Sequence, residues 1–309
     1  GPPTRAKLGV MLRPRRFARE IDPGPVQIQA RNVEFDASGS ALHWIPEHPV
    51  ASHMVSLLNV VLPAAERWFV TTYNEALPFV KDERLAEDMR GFIGQEAVHA
   101  ETHERMLHQF MEARGVNPQP ILTQVDYIIG KVLAPSTSTD PQRRYNQLCD
   151  RLWLIAGIEH YTALLGDFAL NCDWDDYDAD PTMVDLFRWH GSEEVEHRCV
   201  AHDVATYFHD SYPARIRAMV LAMGLLASFF ERSLWYLCRT DPEVNLSWTQ
   251  MQRARMQDSK LNLLPAYRTL FGSNTLAYFR RNYSPLNVGS TAQAVAYLAT
   301  SPAARAAHR

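Results

Sequence analysis

Two Glu-x-x-His motifs, at Glu96–His99 and Glu194–His197, contain the residues of this sequence best suited to chemistry. Positions three apart share one face of an α-helix, so each motif can present a carboxylate and an imidazole to one metal ion. Glu66 and Glu159 each stand alone in an otherwise apolar stretch. The chain order is therefore Glu, Glu-x-x-His, Glu, Glu-x-x-His, which is the ligand pattern of di-iron and di-manganese carboxylate bundles.

Burial of four carboxylates would be very costly without compensating cations, and two divalent or trivalent ions would bring the charge close to balance. The alternative is four helices with scattered surface carboxylates. That alternative does not explain the apolar neighbours of Glu66 in VVLPAAERWFV or of Glu159 in LWLIAGIEHYTALL. We therefore predict a dinuclear metal centre. Oxygen ligands combined with imidazole favour two iron ions, Fe2+ or Fe3+, as the cofactor.

Further candidate ligands lie on the same helical faces. His103 follows His99 by four residues, which places both within about 60° of Glu96 around the helix. His190 and Glu193 fall within about 100° of the second motif. The predicted metal residues are therefore Glu66, Glu96, His99, His103, Glu159, His190, Glu193, Glu194 and His197. His103, His190 and Glu193 either bind metal or orient the residues that do, and a third metal ion is another alternative.

Other polar residues near the motifs are not among the predicted metal ligands. We expect Glu101 and Glu196 to be solvated. Thr162 and Tyr73 either pack in the core or line an oxygen or substrate pocket. We assign no role to His43, His48 and His53, which precede or open the first long helix. No residue beyond the metal ligands is predicted to be catalytic.

The spacing of apolar residues predicts long helices that would position these side chains. The four ligand-bearing helices are predicted over 52–79, 82–114, 143–171 and 182–212, with Gly115 as a C-cap and a proline-containing crossover over 116–141. A further apolar helix is predicted over 214–238. This pattern predicts an all-α fold, a ferritin-like four-helix bundle with additional helices. We expect an irregular N-terminal arm over 1–45, a metal-binding domain over 46–287 and a C-terminal tail over 288–309.

Composition narrows the class of protein. The chain has 309 residues, 46% of them hydrophobic, which suits one large domain. A net charge of -4 argues against a nucleic-acid partner. Four scattered cysteines without a Cys-x-x-Cys pair argue against a disulfide framework or a thiolate zinc site. The most apolar run, Ala218–Phe230, is shorter than the roughly 20 residues that a membrane span needs. We therefore expect a cytoplasmic protein without a membrane span.

The strings GFIGQEAVHAETHERM and WHGSEEVEHRCVAHDV resemble a bacterial family labelled "predicted metal-dependent hydrolase", and the resemblance extends over about 46–287. Members associated with platensimycin- and platencin-type antibiotic pathways resemble non-haem diiron monooxygenases that hydroxylate a diterpenoid skeleton. The resemblance implies metal-site roles for Glu96, His99, His103, His190, Glu193, Glu194 and His197. The chain departs from the family where a histidine–proline turn is common, because Ser284 precedes Pro285 here.

The leading functional prediction is a diiron monooxygenase that hydroxylates an apolar small molecule, such as a terpenoid, with O2 as co-substrate. The chain contains no flavin or nicotinamide motif, so electrons would come from an external donor, either a separate reductase or an electron carrier. The helix over 214–238 would wall a substrate pocket, pack in the core or form a homodimer interface. The alternatives are a dinuclear metal-dependent hydrolase and a non-enzymatic metal-binding protein.

Overall fold

The computed structural model describes residues 26–307, and within this range the chain forms helices and turns but no strand. Residues 1–25 of the predicted arm and residues 308–309 of the predicted tail lie outside the described range. The α-helices are α1 (Pro49–Ser56), α2 (Leu58–Ala76), α3 (Glu83–Met106), α4 (Gln119–Tyr127), α5 (Pro141–Asn171), α6 (Pro181–His197), α7 (Val200–Phe208), α8 (Tyr212–Thr240), α9 (Trp248–Lys260), α10 (Asn274–Tyr278), α11 (Thr291–Thr300) and α12 (Pro302–Ala307).

Four of these helices form the bundle that carries the predicted ligands. Helix α2 packs along α3 and α5 packs along α6, while further contacts join α2 to α5 and α3 to α6. Helix α8 packs against α5, and α11 packs against α6. The prediction of an all-α helical bundle with additional helices is confirmed.

Short-range capping fixes where three of the ligand-bearing helices begin. The side chain of Asp82 accepts a hydrogen bond from the backbone of Leu85 at the start of α3. Asp140 and Asp180 cap α5 and α6 in the same way, and each is followed by a proline at the first helical position. The predicted C-cap is also present, because Gly115 has a φ of 85° where the last turns after α3 end.

Two predicted helix boundaries are wrong. The first predicted helix divides into α1 and α2 at Leu57. The fourth ends at its last predicted ligand, His197, and the chain resumes as α7 at Val200. At this second break the guanidinium of Arg198 donates to the carbonyl of Val195 and also to the carbonyl of Pro285. The side chain of Arg198 therefore donates a hydrogen bond to the Val195 carbonyl at the point where the helix breaks.

The chain segments on either side of the bundle pack against it. Residues 26–48 contain no helix and lie directly on α3, so closely that a β-carbon on Gly91 would come within 2.5 Å of the Ile28 carbonyl oxygen. At the other end of the chain, α11 and α12 both contact α6. The domain boundaries at 45 and 287 remain predictions.

Helix α8 is long and apolar enough to cross a membrane by length and composition alone. Its most apolar 18-residue window has a mean hydropathy of 1.4, and 28% of that window is buried. The apolar run used in the sequence prediction is thus part of a 29-residue helix. The absence of a membrane span and the cytoplasmic location remain predictions.

Candidate metal centre

Seven of the nine predicted metal residues lie in two groups at the centre of the bundle. In each group the ligand atoms lie within 4.8 Å of one another. The first group contains Glu66, His99, His190 and Glu194, and the second contains Glu96, Glu159, Glu194 and His197. Glu194 belongs to both groups, since its Oε1 lies 3.0 Å from His190 Nε2 and its Oε2 lies 3.3 Å from His197 Nε2. Its carboxylate can therefore bridge two ions.

The burial of these groups tests whether they fit metal ions. None of the seven residues is more than 6% exposed. Several of their polar atoms have no hydrogen-bond partner, namely Glu66 Oε2, both carboxylate oxygens of Glu96, His99 Nδ1 and Glu159 Oε2. A buried polar atom without a partner is costly, and metal coordination would satisfy all five. The residues present therefore fit a pair of cations.

Glu193 and His103 lie outside both groups, immediately behind two of the ligands. Glu193 Oε2 is 2.9 Å from His99 Nε2, so the nitrogen that faces the first group is His99 Nδ1. His103 Nε2 is 2.8 Å from His190 Nδ1, which leaves His190 Nε2 facing Glu194. Both residues thus contact the far nitrogen of a ligand imidazole, a position that orients the ring.

A chain of hydrogen bonds determines the tautomer of His190. Burial, with the nearby His190 and His99, lowers the pKa of His103 well below its usual value, so His103 is neutral. Its Nδ1 donates to Asn59 Oδ1 over 2.7 Å, because an amide oxygen can only accept. His103 Nε2 must then accept from His190 Nδ1, and His190 Nε2 keeps its lone pair for a metal ion. In the second motif, His197 Nδ1 donates to Gln95 Oε1 over 2.9 Å. His197 Nε2 is then the nitrogen that would bind a metal ion.

A buried ion-pair network lies behind His99. Arg31 Nη1 is 2.7 Å from Glu193 Oε1 and 2.9 Å from Glu196 Oε2. Glu196 also accepts from Gln95 Nε2 over 3.1 Å, and its side chain is only 1% exposed. The prediction that Glu196 is solvated is therefore wrong. Arg31 neutralises charge that would otherwise stand unpaired beside the centre.

Sequence reasoning missed Arg31, Asn59 and Gln95. Arg31 lies 162 residues from Glu193 in the chain, so no local pattern connects them. Asn59 and Gln95 did offer a signal. Each is an amide on a predicted ligand-bearing helix, roughly two turns before Glu66 in the first case and directly before Glu96 in the second. The structure shows that both are fully buried.

The electrostatics of the centre determine which of its groups hold protons when metal is absent. Burial, reinforced by the charges of Glu194 and Glu159, raises the pKa of Glu66 well above its usual range. Burial opposes ionisation of Glu194 as well, yet the charge of His197 holds the pKa of Glu194 well below its usual value. Burial disfavours charge on His99, but the hydrogen bond to Glu193 and the adjacent carboxylate of Glu194 raise the pKa of His99 to about 10. Without metal the centre therefore retains protons that cation binding would displace.

Two neighbouring apolar cavities reach the centre. One is lined by His190 and Thr162, and the other by Glu66, Glu159 and Thr162. Their shared walls include Leu58, Leu62, Leu165, Phe230, Leu270 and Phe271. Phe230 belongs to α8, so the apolar helix contributes a wall as well as core packing. Thr162 lines both cavities, and its hydroxyl lies 3.2 Å from Glu159 Oε1.

Comparison with known protein families gives a match. A family described as "Predicted metal-dependent hydrolase" has a model that matches residues 29–289, which is most of the chain. No curated protein and no solved structure gives a significant match. The matched range contains all nine predicted metal residues and Arg31.

Proposed function

The chain belongs to the family of predicted metal-dependent hydrolases, and from this premise we propose that it is a non-haem diiron monooxygenase acting on an apolar small molecule. One observation carries the proposal: two four-residue donor groups share Glu194 and adjoin apolar cavities. The family description supports a metal-dependent enzyme. The oxidative chemistry is our own inference from the donor set and its surroundings.

The donor set favours iron. The two groups together offer four carboxylates and three imidazoles without a thiolate, and this mixture of hard oxygen and borderline nitrogen ligands suits iron. Four carboxylates balance the charge of two divalent ions. The seven residues would hold the two ions, with Glu194 able to serve both. When bound, two iron ions would supply the redox chemistry that O2 activation needs.

The protein's own side chains hold the substrate and keep water away. Leu62, Leu165 and Phe230 would bury an apolar substrate beside Glu66 and Glu159, the ligands that line the second cavity. Hydroxylation converts R–H, O2, two electrons and two protons into R–OH and water. The electrons require an external donor, which we propose to be a separate reductase or electron carrier. A terpenoid is one substrate class that such an apolar cavity would accept.

Anaerobic loading of metal-free protein with Fe(II), followed by exposure to air, tests this function. We expect two irons per chain, O2 consumption and a new near-ultraviolet charge-transfer absorption. Glu96→Ala should lose at least one iron and the O2 reaction, because Glu96 is a fully buried member of the second group. Glu101→Ala is the matched control, since Glu101 is exposed on the same helix and should keep both. Two bound irons without O2 consumption would refute the monooxygenase proposal.

A second candidate, a dinuclear hydrolase, is favoured by the description of the family. A two-metal centre can activate water and polarise a carbonyl. A panel of apolar esters and amides, assayed anaerobically with the zinc-loaded protein, distinguishes the two. Zinc-dependent hydrolysis that Glu96→Ala abolishes would replace the oxygenase proposal. Bound metal with neither activity would instead indicate a metal-binding protein.

A further inference from the structure

A second cluster of metal-binding residue types lies apart from the bundle centre. His43 Nε2 is 2.6 Å and His53 Nε2 is 2.7 Å from the same oxygen, Asp241 Oδ2. The two rings meet edge to face, with centroids 5.3 Å apart. His53 is 1% exposed and Asp241 is 8% exposed, while the side chain of His43 is 19% exposed. Two imidazoles thus converge on one carboxylate oxygen beneath a surface opening.

The three residues come from separate parts of the fold. His43 lies in the segment before α1, His53 lies within α1, and Asp241 is the C-cap of α8. The second carboxylate oxygen, Asp241 Oδ1, accepts a hydrogen bond from the backbone of Glu243 over 2.9 Å. That bond orients the carboxylate so that Oδ2 points at the imidazoles. Hydrogen bonding to His53, and then to His43, also holds the pKa of Asp241 well below its usual value despite burial, so the carboxylate is ionised.

We propose that His43, His53 and Asp241 form a third, separate metal site that binds one divalent cation of the zinc class. Two imidazoles and one carboxylate are a ligand set that zinc accepts, with a fourth position for water or another ligand. Ligand atoms around a tetrahedral zinc ion lie about 3.3 Å apart, given bonds of about 2.0–2.1 Å. The present separations would therefore have to open by about 0.6 Å. His43 can move because it lies outside any helix and is partly exposed. The separation between His53 and Asp241 would open by rotation of the Asp241 carboxylate at the end of α8.

The surroundings give the cation access from solvent and add negative charge at the opening. The cluster borders a surface pocket whose lining also includes Asn117, Thr240 and Glu243. The carboxylate of Glu243 is 80% exposed and 3.6 Å from His43 Nδ1. Arg114 lines the same pocket, but its guanidinium donates to the backbone carbonyls of Ala37 and Ser40, at 2.7 Å and 2.6 Å. A divalent ion would balance the two carboxylates.

A cation at this site would have a structural role. It would join the segment before α1 to α1 itself and to the end of α8. The same segment carries Arg31, which pairs with Glu193 behind the bundle centre. Metal binding at this site requires neither oxygenase nor hydrolase activity. The test of this site can therefore fail while the proposed function holds, and the reverse is also true.

Zinc content of the full-length chain, measured after saturation and removal of free metal, tests the site. We expect His43→Gln to bind one zinc fewer per chain than the wild type, with an unchanged circular dichroism spectrum. Cobalt(II) added to the wild type should give the strong visible absorption of tetrahedral coordination, and this band should be lost in His43→Gln.

His48→Gln is the matched control. His48 lies in the same segment and contacts a carboxylate, Asp258, at 2.7 Å, but it has no second histidine on that oxygen. It should keep the wild-type zinc count and cobalt band. If His43→Gln does not fold, the same measurements are made on Asp241→Asn, for which we expect the same loss. A folded variant of His43 or Asp241 with the wild-type zinc count would overturn the proposal.

Discussion

Each ligand imidazole at the bundle centre has its outer nitrogen engaged by a protein group. The partners are Glu193 for His99, His103 for His190 and Gln95 for His197. Such contacts set both the tautomer and the direction of the free lone pair. The rings therefore do not have to reorient when metal binds, and the cost of ordering them is met during folding.

Arg31 provides the first residue-level prediction. Arg31→Ala removes the cation from two carboxylates, Glu193 and Glu196, whose side chains are 0% and 1% exposed. Breaking a buried pair in this way costs about 3–5 kcal/mol, because a charge is left without its partner. We expect urea unfolding to show a loss of this size, together with weaker metal retention because Glu193 no longer holds His99 in place.

The matched control for Arg31→Ala is Arg67→Ala. Arg67 pairs with Glu104, but both side chains are more than 40% exposed. An exposed pair contributes at most about 1 kcal/mol. Equal losses in the two variants would show that the network behind His99 has no special importance.

At the level of helices, a close glycine contact brings α5 and α6 together. A β-carbon on Gly166 would lie 2.3 Å from the carbonyl oxygen of Gly191, and one on Gly191 would lie 2.7 Å from the α-carbon of Gly166. Only two glycines allow this approach. It matters for the centre because α5 carries Glu159 and α6 carries the second Glu-x-x-His motif.

Gly166→Ala should therefore separate α5 from α6. We expect a loss of about 1–3 kcal/mol in the free energy of unfolding, the usual cost of overpacking, and fewer metal ions bound per chain. Gly224→Ala on α8 is the control, because a β-carbon there meets no atom within 4 Å. It should stabilise the helix by about 0.5–1 kcal/mol. If Gly166→Ala binds as many metal ions per chain as the wild type, the close contact of α5 with α6 is not needed for the metal centre.

His202 on α7 gives a pH-dependent prediction at the same scale. Burial, with a smaller contribution from Arg215, lowers the pKa of His202 to about 4. The unfolded chain takes up this proton near pH 6.5, but the folded chain stays neutral down to about pH 4. Protonation therefore favours the unfolded state, and the stability that His202 contributes above pH 6.5 is lost as pH falls toward 4.

His202→Gln should make stability less sensitive to pH. We expect the free energy of unfolding, measured in urea with a chelator present, to fall less between pH 7.5 and pH 5 than it does in the wild type. His209→Gln, at an exposed position nearby, should retain the wild-type dependence. If the free energy of unfolding of His202→Gln falls with pH as steeply as that of the wild type, protonation of His202 is not linked to unfolding.

For the whole molecule, the bundle centre couples metal binding to stability. Four carboxylates and three imidazoles are buried together, and five of their polar atoms lack a partner without metal. Folding therefore brings together carboxylates whose charge must be compensated by protons or by metal cations. A ligand that binds only the folded state stabilises it by about 4 kcal/mol when its free concentration is 1,000 times Kd.

Metal removal should accordingly lower the unfolding midpoint substantially, and adding metal back should restore it. Thermal unfolding of the full chain with and without a chelator measures the shift. In Glu194→Ala the shift should be much smaller, because the carboxylate shared by both groups is gone. A metal-free wild-type protein with an unchanged midpoint would contradict this coupling.

The sequence by itself determined the helical class, the order of ligand-bearing helices and the nine residues that meet at or beside the centre. These features follow from local rules, because positions three or four apart share a helical face and apolar neighbours mark that face as buried. The N-cap at Asp82 and the end of the helical segment at Gly115 also depend only on residues that are close in sequence.

Only the tertiary structure decided which of those residues face each other. It placed Glu194 in both candidate ligand groups, placed Glu193 and His103 behind two histidines of these groups, and buried Glu196 against an arginine 165 residues away. It also brought His53 to Asp241 across 188 residues, a pair with no sequence signal. Periodicity specifies the face of a helix but not the neighbouring helix or loop that this face meets. That choice depends on how all the helices pack at once.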